Sequence, residues 1–145
     1  MSLKPKLLKS GAQTIFMRTD TDHKSFILKP STINGIGVFA LHDIAKGTYL
    51  ELFGKDFQEE VREVNDVPDE LQGFCLNHEE GKLLCPKFFN RMDIGNYINH
   101  SENANMRYEK GKGYFAKRDI EIGEELFADY RELPESESAR ENYYK

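Results

Sequence analysis

The chain has 145 residues, of which 39% are hydrophobic and 31% charged. That is enough for one compact domain with a core needing no disulfide or metal staple, and too little for two domains. Its formal net charge of −5 repels phosphate backbones, which argues against direct nucleic-acid binding and suits a basic peptide partner better. Two cysteines, Cys75 and Cys85, cannot build a disulfide framework or a cysteine-based zinc module. No run approaches the roughly 18 apolar residues of a membrane span, and the start, Met1 to Lys6, lacks the apolar core of a signal peptide. The expectation is a soluble intracellular protein without a membrane partner. Charge is unevenly spread: residues 1–30 hold six Lys or Arg against two Asp, and residues 119–145 hold nine Asp or Glu against three Lys or Arg.

In chain order, short β-type runs separated by Gly, Asn and Asp predict strands at Ser25 to Leu28, Gly37 to Ala40, Thr48 to Phe53, Lys82 to Cys85, Met106 to Tyr108 and Tyr114 to Ala116. Glu79-Glu80-Gly81 and Glu109 to Gly113 read as hairpin turns, because glycine supplies the positive φ such turns need. Short helices are expected near Pro68 to Gln72 and after Ser136. The spacing predicts a mostly β fold. A turn at 79–81 sets Cys75 roughly opposite Cys85, and a reducing compartment keeps them as free, buried thiols. Cys75, His78 and Cys85 lack a fourth ligand of suitable spacing, so no metal site is assigned.

Three segments carry more glycine, small polar and aromatic residues than a plain β core needs. In Asn34 to Ala40, the glycines of Gly35-Ile36-Gly37 let the backbone approach a ligand closely, although such a pair before a strand is also an ordinary turn. No third glycine follows at dinucleotide spacing and no helix pattern begins there, which argues against a Rossmann phosphate loop. Gly95 to Ser101 packs Tyr97, Asn99, His100 and a hydroxyl into seven residues, and Gly123 to Tyr130 ends in an apolar-flanked Asp129-Tyr130 pair.

Together, Gly35 to Ala40, Asp43-Ile-Ala-Lys-Gly47, Asn99-His100-Ser101 and Glu124 to Tyr130 resemble, in order and spacing, the SET-domain protein lysine methyltransferases. Asp119-Ile-Glu-Ile-Gly123 repeats the pattern of Asp43 to Gly47, as the family also does. The resemblance implies a mostly β fold of several small curved sheets with a C-terminal pseudoknot and few helices. It divides the chain into a flank at 1–24, a catalytic domain at 25–131 and a C-terminal flank at 132–145. It further implies S-adenosylmethionine bound at Gly35, Ile36, Gly37, Asn99, His100 and Tyr130. The substrate lysine, in a basic protein such as a histone tail, would enter a channel at Phe74, Tyr97, Ala128 and Tyr130, with Tyr130 catalytic. Compartment follows source: cytoplasmic in a bacterium, or nuclear in a eukaryote or its virus. The oligomeric state is left open, a homodimer included.

The chemistry gives these residues work to do. Methyl transfer from a sulfonium to an amine is an in-line displacement, so proximity supplies much of the rate. A lysine of pKa about 10.4 is protonated at neutral pH and has no lone pair to attack with. A dry aromatic channel penalises the ammonium and lowers that pKa. Departures from the family pattern are informative. Glu102 stands where a zinc-binding cysteine is usual, Leu52 replaces a common tyrosine, and Ala128 replaces Phe or Tyr. Alanine there leaves room for an amine already bearing methyl groups, so a di- or trimethylated product is expected. Tyr143 and Tyr144 are candidates to cover the channel in place of the missing cysteine-rich tail. The competing readings are a SET-fold binding module with little or no turnover and an unrelated small β interaction protein.

Overall fold

The structure, a computed structural model, describes residues 24–133. Strands β1 (Phe26–Pro30) and β2 (Ile36–Ala40) form an antiparallel hairpin. Its loop closes with the Ser31 N–H donating to the Gly35 carbonyl at 2.8 Å, and Gly35 sits at φ 53°, where a side chain would be strained. Strand β3 holds only Tyr49–Leu50 of the run predicted from Thr48 to Phe53. At its end the Leu52 N–H turns back to the Leu50 carbonyl. This leaves the ladder, buries Leu52 in the core and leaves Phe53 half-buried at its edge.

Strand β4 (Glu59–Glu63) has four charged residues in five and was not expected as a strand. It forms because β6 (Lys82–Pro86) offers a full antiparallel ladder from Glu59–Pro86 to Glu63–Lys82. A one-turn helix α1 (Asp69–Gln72) follows β4, and β5 (Leu76–Asn77) then pairs with β6 across the turn expected at 79–81. The Leu76–Leu84 register sets Cys75 opposite Cys85. Both thiols are free, Cys85 buried and Cys75 half-buried. Burial first, then the neighbouring Cys85, pushes the Cys75 thiol well above its ordinary pKa, so it is protonated and unreactive at neutral pH.

Strand β7 (Asn99–His100) precedes the hairpin of β8 (Met106–Glu109) and β9 (Gly113–Ala116), whose turn was also expected. Strand β9 pairs with β3 on its other edge. The last strand, β10 (Phe127–Ala128), lies parallel beside β7, pairing Phe127 with Asn99 and Ala128 with His100. The main core holds Val38, Leu50, Met106, Ile120 and Leu126, and a smaller core of Val67, Leu83 and Cys85 lies under the β4–β6–β5 sheet.

The two Asp-Ile-x-x-Gly segments explain one another. Ile44 and Ile120 exchange both backbone hydrogen bonds at 2.8 Å, and both side chains are buried. Asp119 accepts from the Lys46 N–H at 2.8 Å and Asp43 from the Ile122 N–H at 2.9 Å. Each aspartate caps the backbone of the other segment, so the repeated pattern is a quasi-twofold clasp. The fold is thus mostly β, in small sheets with few helices, as expected. The N-terminal flank, the helix after Ser136, and Tyr143 and Tyr144 lie outside the described residues.

Candidate functional site

The G-x-G turn is held from behind by a buried polar knot. Glu125 is only 8% exposed. Its carboxylate accepts the Ser31 hydroxyl at 3.0 Å on one oxygen and the Asn99 amide at 3.0 Å on the other. The same Asn99 amide nitrogen reaches the carbonyls of Asn34 at 3.1 Å and Ile36 at 3.2 Å. Ser31 Oγ in turn accepts the N–H groups of Ile33 at 3.0 Å and Asn34 at 3.3 Å. Gly37 owes its lack of a side chain to this knot: a Cβ there would overlap the Glu125 carboxylate and stand 2.7 Å from its Cδ. The two glycines therefore serve different ends. Gly35 meets a turn, and no heavy atom lies within 4 Å of its would-be Cβ, which leaves the outer side of the turn bare. Gly37 meets a carboxylate.

The parallel pairing of β7 and β10 brings the second and third motifs together. Tyr130 follows β10 and opens a single 3-10 turn that Asp129 caps through the Arg131 N–H. The Tyr130 N–H donates to His100 Nδ1 at 3.0 Å, and the two rings lie 5.2 Å apart. Nδ1 is thus an acceptor, which places the ring proton on Nε2. Burial, more than any nearby charge, holds His100 below its ordinary pKa, so the ring is neutral at neutral pH. The Tyr130 hydroxyl donates to the Ile98 carbonyl at 2.5 Å, so toward any other group its oxygen can act only as an acceptor.

Tyr130 lies on the wall of a cavity of about 230 Å³, with Phe74, Ala128, Leu52, Ile98 and Gly95. Of the four residues expected around a substrate channel, Phe74, Ala128 and Tyr130 line this cavity. Tyr97 departs from the expectation: its ring meets Phe74 edge-on, 5.3 Å between centroids, and supports that wall from outside the cavity lining. The reason is local. Ile94–Tyr97 is one 3-10 turn, in which side chains three apart eclipse, so Ile94 and Tyr97 both face the main core.

Glu102, in place of a zinc-binding cysteine, faces Arg131 across 3.9 Å, and Arg131 also grips Asp129, with Nε to Oδ1 at 2.8 Å and Nη2 to Oδ2 at 2.5 Å. The Arg131 guanidinium holds the Asp129 carboxyl below its usual range. An ion-pair cluster thus ties the loop after β7 to the segment after β10. Among the described residues no three His, Cys, Asp or Glu side chains gather as a metal site.

Sequence reasoning passed over Glu125, Ser31 and the far wall of the cavity, formed by Phe53, Phe57, Glu59, Tyr108 and Tyr114. A signal for Glu125 was present, since an acid directly before the apolar run Leu126-Phe127-Ala128 needs buried donors once that run enters the core. Nothing local marked this second group, whose residues come from the loop after β3 and from β4, β8 and β9.

The architecture is that of a small β-sheet domain with a turn whose outer side is bare at Gly35, linked through one strand pair to an aromatic cavity. Residues 35–131 match the SET domain family. A curated relative, histone-lysine N-methyltransferase trr of Drosophila melanogaster, is 32% identical over 122 residues, covering 77% of this chain and 5% of that protein. This chain therefore spans only a small part of that relative. Among solved structures, the methyltransferase domain of human PR domain-containing protein 2 superposes with a TM-score of 0.50 at 19% identity, over 86% of this chain and 93% of that one. The chain belongs to the SET-domain family, and its fold is that of the SET-domain methyltransferases.

Proposed function

We propose that this protein is an S-adenosylmethionine-dependent methyltransferase that modifies the ε-amine of a lysine in a basic protein segment, a histone tail being one candidate. The observation that carries this reading is the β7–β10 pair. It joins Asn99, which grips the G-x-G turn, to Tyr130, which stands on the cavity wall, so the two proposed binding regions share one rigid element. The bare outer side of Gly35 and the carbonyls gathered by Asn99 fit a polar cofactor with adenosine and amino-acid ends. Gly35, Ile36, Gly37, Asn99, His100 and Tyr130 would hold it, and once bound it supplies a methyl group on a sulfonium.

The remaining work falls to the chain itself. Phe74, Ala128 and Tyr130 enclose the lysine side chain and exclude water, which disfavours the ammonium and frees the lone pair. Tyr130, with its proton committed to Ile98, offers an acceptor that orients the amine. The net charge of −5 favours encounter with a basic segment. Free Cys75 and Cys85 accord with an intracellular, reducing site of action.

The test incubates the protein with methyl-labelled cofactor and a lysine-rich protein mixture. Label should pass to lysine, and Tyr130→Phe should lose on the order of 100-fold in turnover while calorimetry finds cofactor affinity within a few fold of the parent. Cofactor binding without transfer would leave a binding module, and neither binding nor transfer would overturn the reading.

A further inference from the structure

The chain has two cysteines, and the fold sets them against each other. Backbone parity fixes how they meet. Just past β6, the Lys87 N–H donates to the Gln58 carbonyl at 2.8 Å, so the odd-numbered residues of β6 turn their backbone groups toward β4. On the other side the His78 N–H donates to the Lys82 carbonyl at 3.2 Å, so the even-numbered residues turn theirs toward β5. Cys85 therefore faces Cys75 as a non-hydrogen-bonded antiparallel pair. Such pairs bring their Cα atoms to about 4.5 Å, within the roughly 4.4–6.8 Å that a disulfide spans. Both side chains lie on one face of the sheet, and Cys75 packs against the small core that holds Cys85. The Cys85 thiol is near enough to act on Cys75 as a hydrogen-bonding neighbour.

The two sulfurs differ in access. Cys85 is 0% exposed, whereas Cys75 is half-buried and belongs to the lining of the 230 Å³ cavity. A weak hydrogen bond, 3.6 Å to the Leu71 carbonyl, holds Cys75 Sγ in that position. One sulfur within reach of a small molecule, backed by a second that is shielded from it, is the arrangement of an attacked and a resolving thiol.

We propose that Cys75 and Cys85 form a thiol-modification site at which a low-molecular-weight disulfide, RSSR, is exchanged for an internal Cys75–Cys85 disulfide. Cys75 gives up its proton and its sulfur attacks one sulfur of RSSR, forming Cys75–S–SR and releasing RS−, which takes up a proton and leaves as RSH. Cys85, deprotonated in turn, attacks the Cys75 sulfur and expels the second RSH. The two protein thiols lose two electrons and two protons, and RSSR gains them. Burial keeps the Cys75 thiol protonated at neutral pH, which slows the first attack. The final state is set by the reduction potential and not by that rate, so the pair ignores a brief oxidant and yields to a sustained one.

The bond would act on the cavity wall. Cys75 follows Phe74, whose ring lines the cavity. Closing the disulfide draws Cys75 Sγ off the Leu71 carbonyl toward β6 and displaces Phe74 with it. Misplacement of a positioning group by a fraction of an ångström lowers turnover, so methyl transfer should fall in the oxidised protein. This consequence rests on the methyltransferase reading, whereas the modification site does not.

The test equilibrates the full chain at about pH 8 in buffers of 2-hydroxyethyl disulfide and 2-mercaptoethanol, quenches with acid and reads mass spectra. As the disulfide share rises, a monomer lighter by two hydrogen atoms should replace the dithiol, and excess 2-mercaptoethanol should restore it. Cys85→Ala should stop at the mixed disulfide on Cys75, while folded Cys75→Ala should keep Cys85 unmodified. A parent that retains both thiols in the most oxidising buffer, disulfides that link two chains, or equal modification of the two variants would overturn the proposal. The parent measurement decides even where a variant does not fold. In a second arm, kcat/KM for methyl transfer should fall several-fold on oxidation and return on reduction, and equal values would overturn the link to the cavity. A parent that transfers no methyl in either state would defeat the methyltransferase reading, and the mass spectra would still decide the modification site.

Discussion

Gly37 and Glu125 should behave as one unit. A methyl group added at Gly37 would occupy space the Glu125 carboxylate fills and would stand 3.2 Å from Ser31 Cβ. Gly37 is not among the positive-φ glycines, so alanine there brings no backbone strain, only this collision. The carboxylate is the far end of a flexible side chain and can swing away, but doing so breaks its bonds to Ser31 and Asn99. Hydrogen bonds to a charged group contribute roughly 1.5–3 kcal/mol each. Asn99 keeps the Asn34 and Ile36 carbonyls as acceptors, which offsets part of the loss, so the total is about 3 kcal/mol. Glu125→Ala removes the same two bonds directly and should cost a similar amount. In the double variant the collision is gone and the bonds are already lost, so it should also stand about 3 kcal/mol below the parent instead of about 6. Each variant should melt roughly 10 °C lower or more and still fold, because domains of this kind typically have 5–15 kcal/mol to lose. Urea unfolding of the four proteins measures the cycle. Additive costs, or a neutral Gly37→Ala, would refute the account of why this position is glycine.

Asn99→Ala releases the carbonyls of the G-x-G turn, so cofactor affinity should fall about ten-fold with a stability loss of about 1–2 kcal/mol. Calorimetry showing unchanged affinity in the folded variant would mean the cofactor lies elsewhere. Ala128→Tyr fills the cavity beside Tyr130, so the product, expected to be di- or trimethyllysine from the parent, should shift to monomethyllysine. Product mass spectra under excess cofactor decide this, and a strictly monomethylating parent would show that another group already narrows the pocket. His100 has a folded pKa below the ordinary imidazole value of 6.5, so its contribution to stability is present above that value and is lost as pH falls through the folded pKa. The stability gap between the parent and His100→Gln should accordingly shrink between about pH 7.5 and about pH 5. A gap that stays constant over that range would argue that the ring is not buried as a neutral group.

Much of the local structure could be read from the chain itself. Strands β1 and β2, the turns at 79–81 and 109–113 and the short helix near Pro68 depend on neighbouring residues, on a glycine at positive φ and on where apolar residues recur. The three motifs of the candidate site were legible for the same reason, as short strings of unusual composition. Their assembly was not. Strands β7 and β10 hold two residues each, lie far apart in sequence and pair in parallel, so no local periodicity announces them. Strand β4 reads as a charged loop until β6 supplies its ladder. Tyr97 and Phe74 look equally suited to a channel wall, and only the eclipsed side chains of the 3-10 turn send Tyr97 to the core. The carboxylates show the difference most plainly: Glu125 and Glu59 are the same residue type, one buried and bound to Ser31 and Asn99 under Gly37, the other exposed to water at the start of β4, where it borders an aromatic cavity. Their surroundings come from segments distant in the chain, and it is the surroundings, through desolvation and available partners, that give a carboxylate its chemistry.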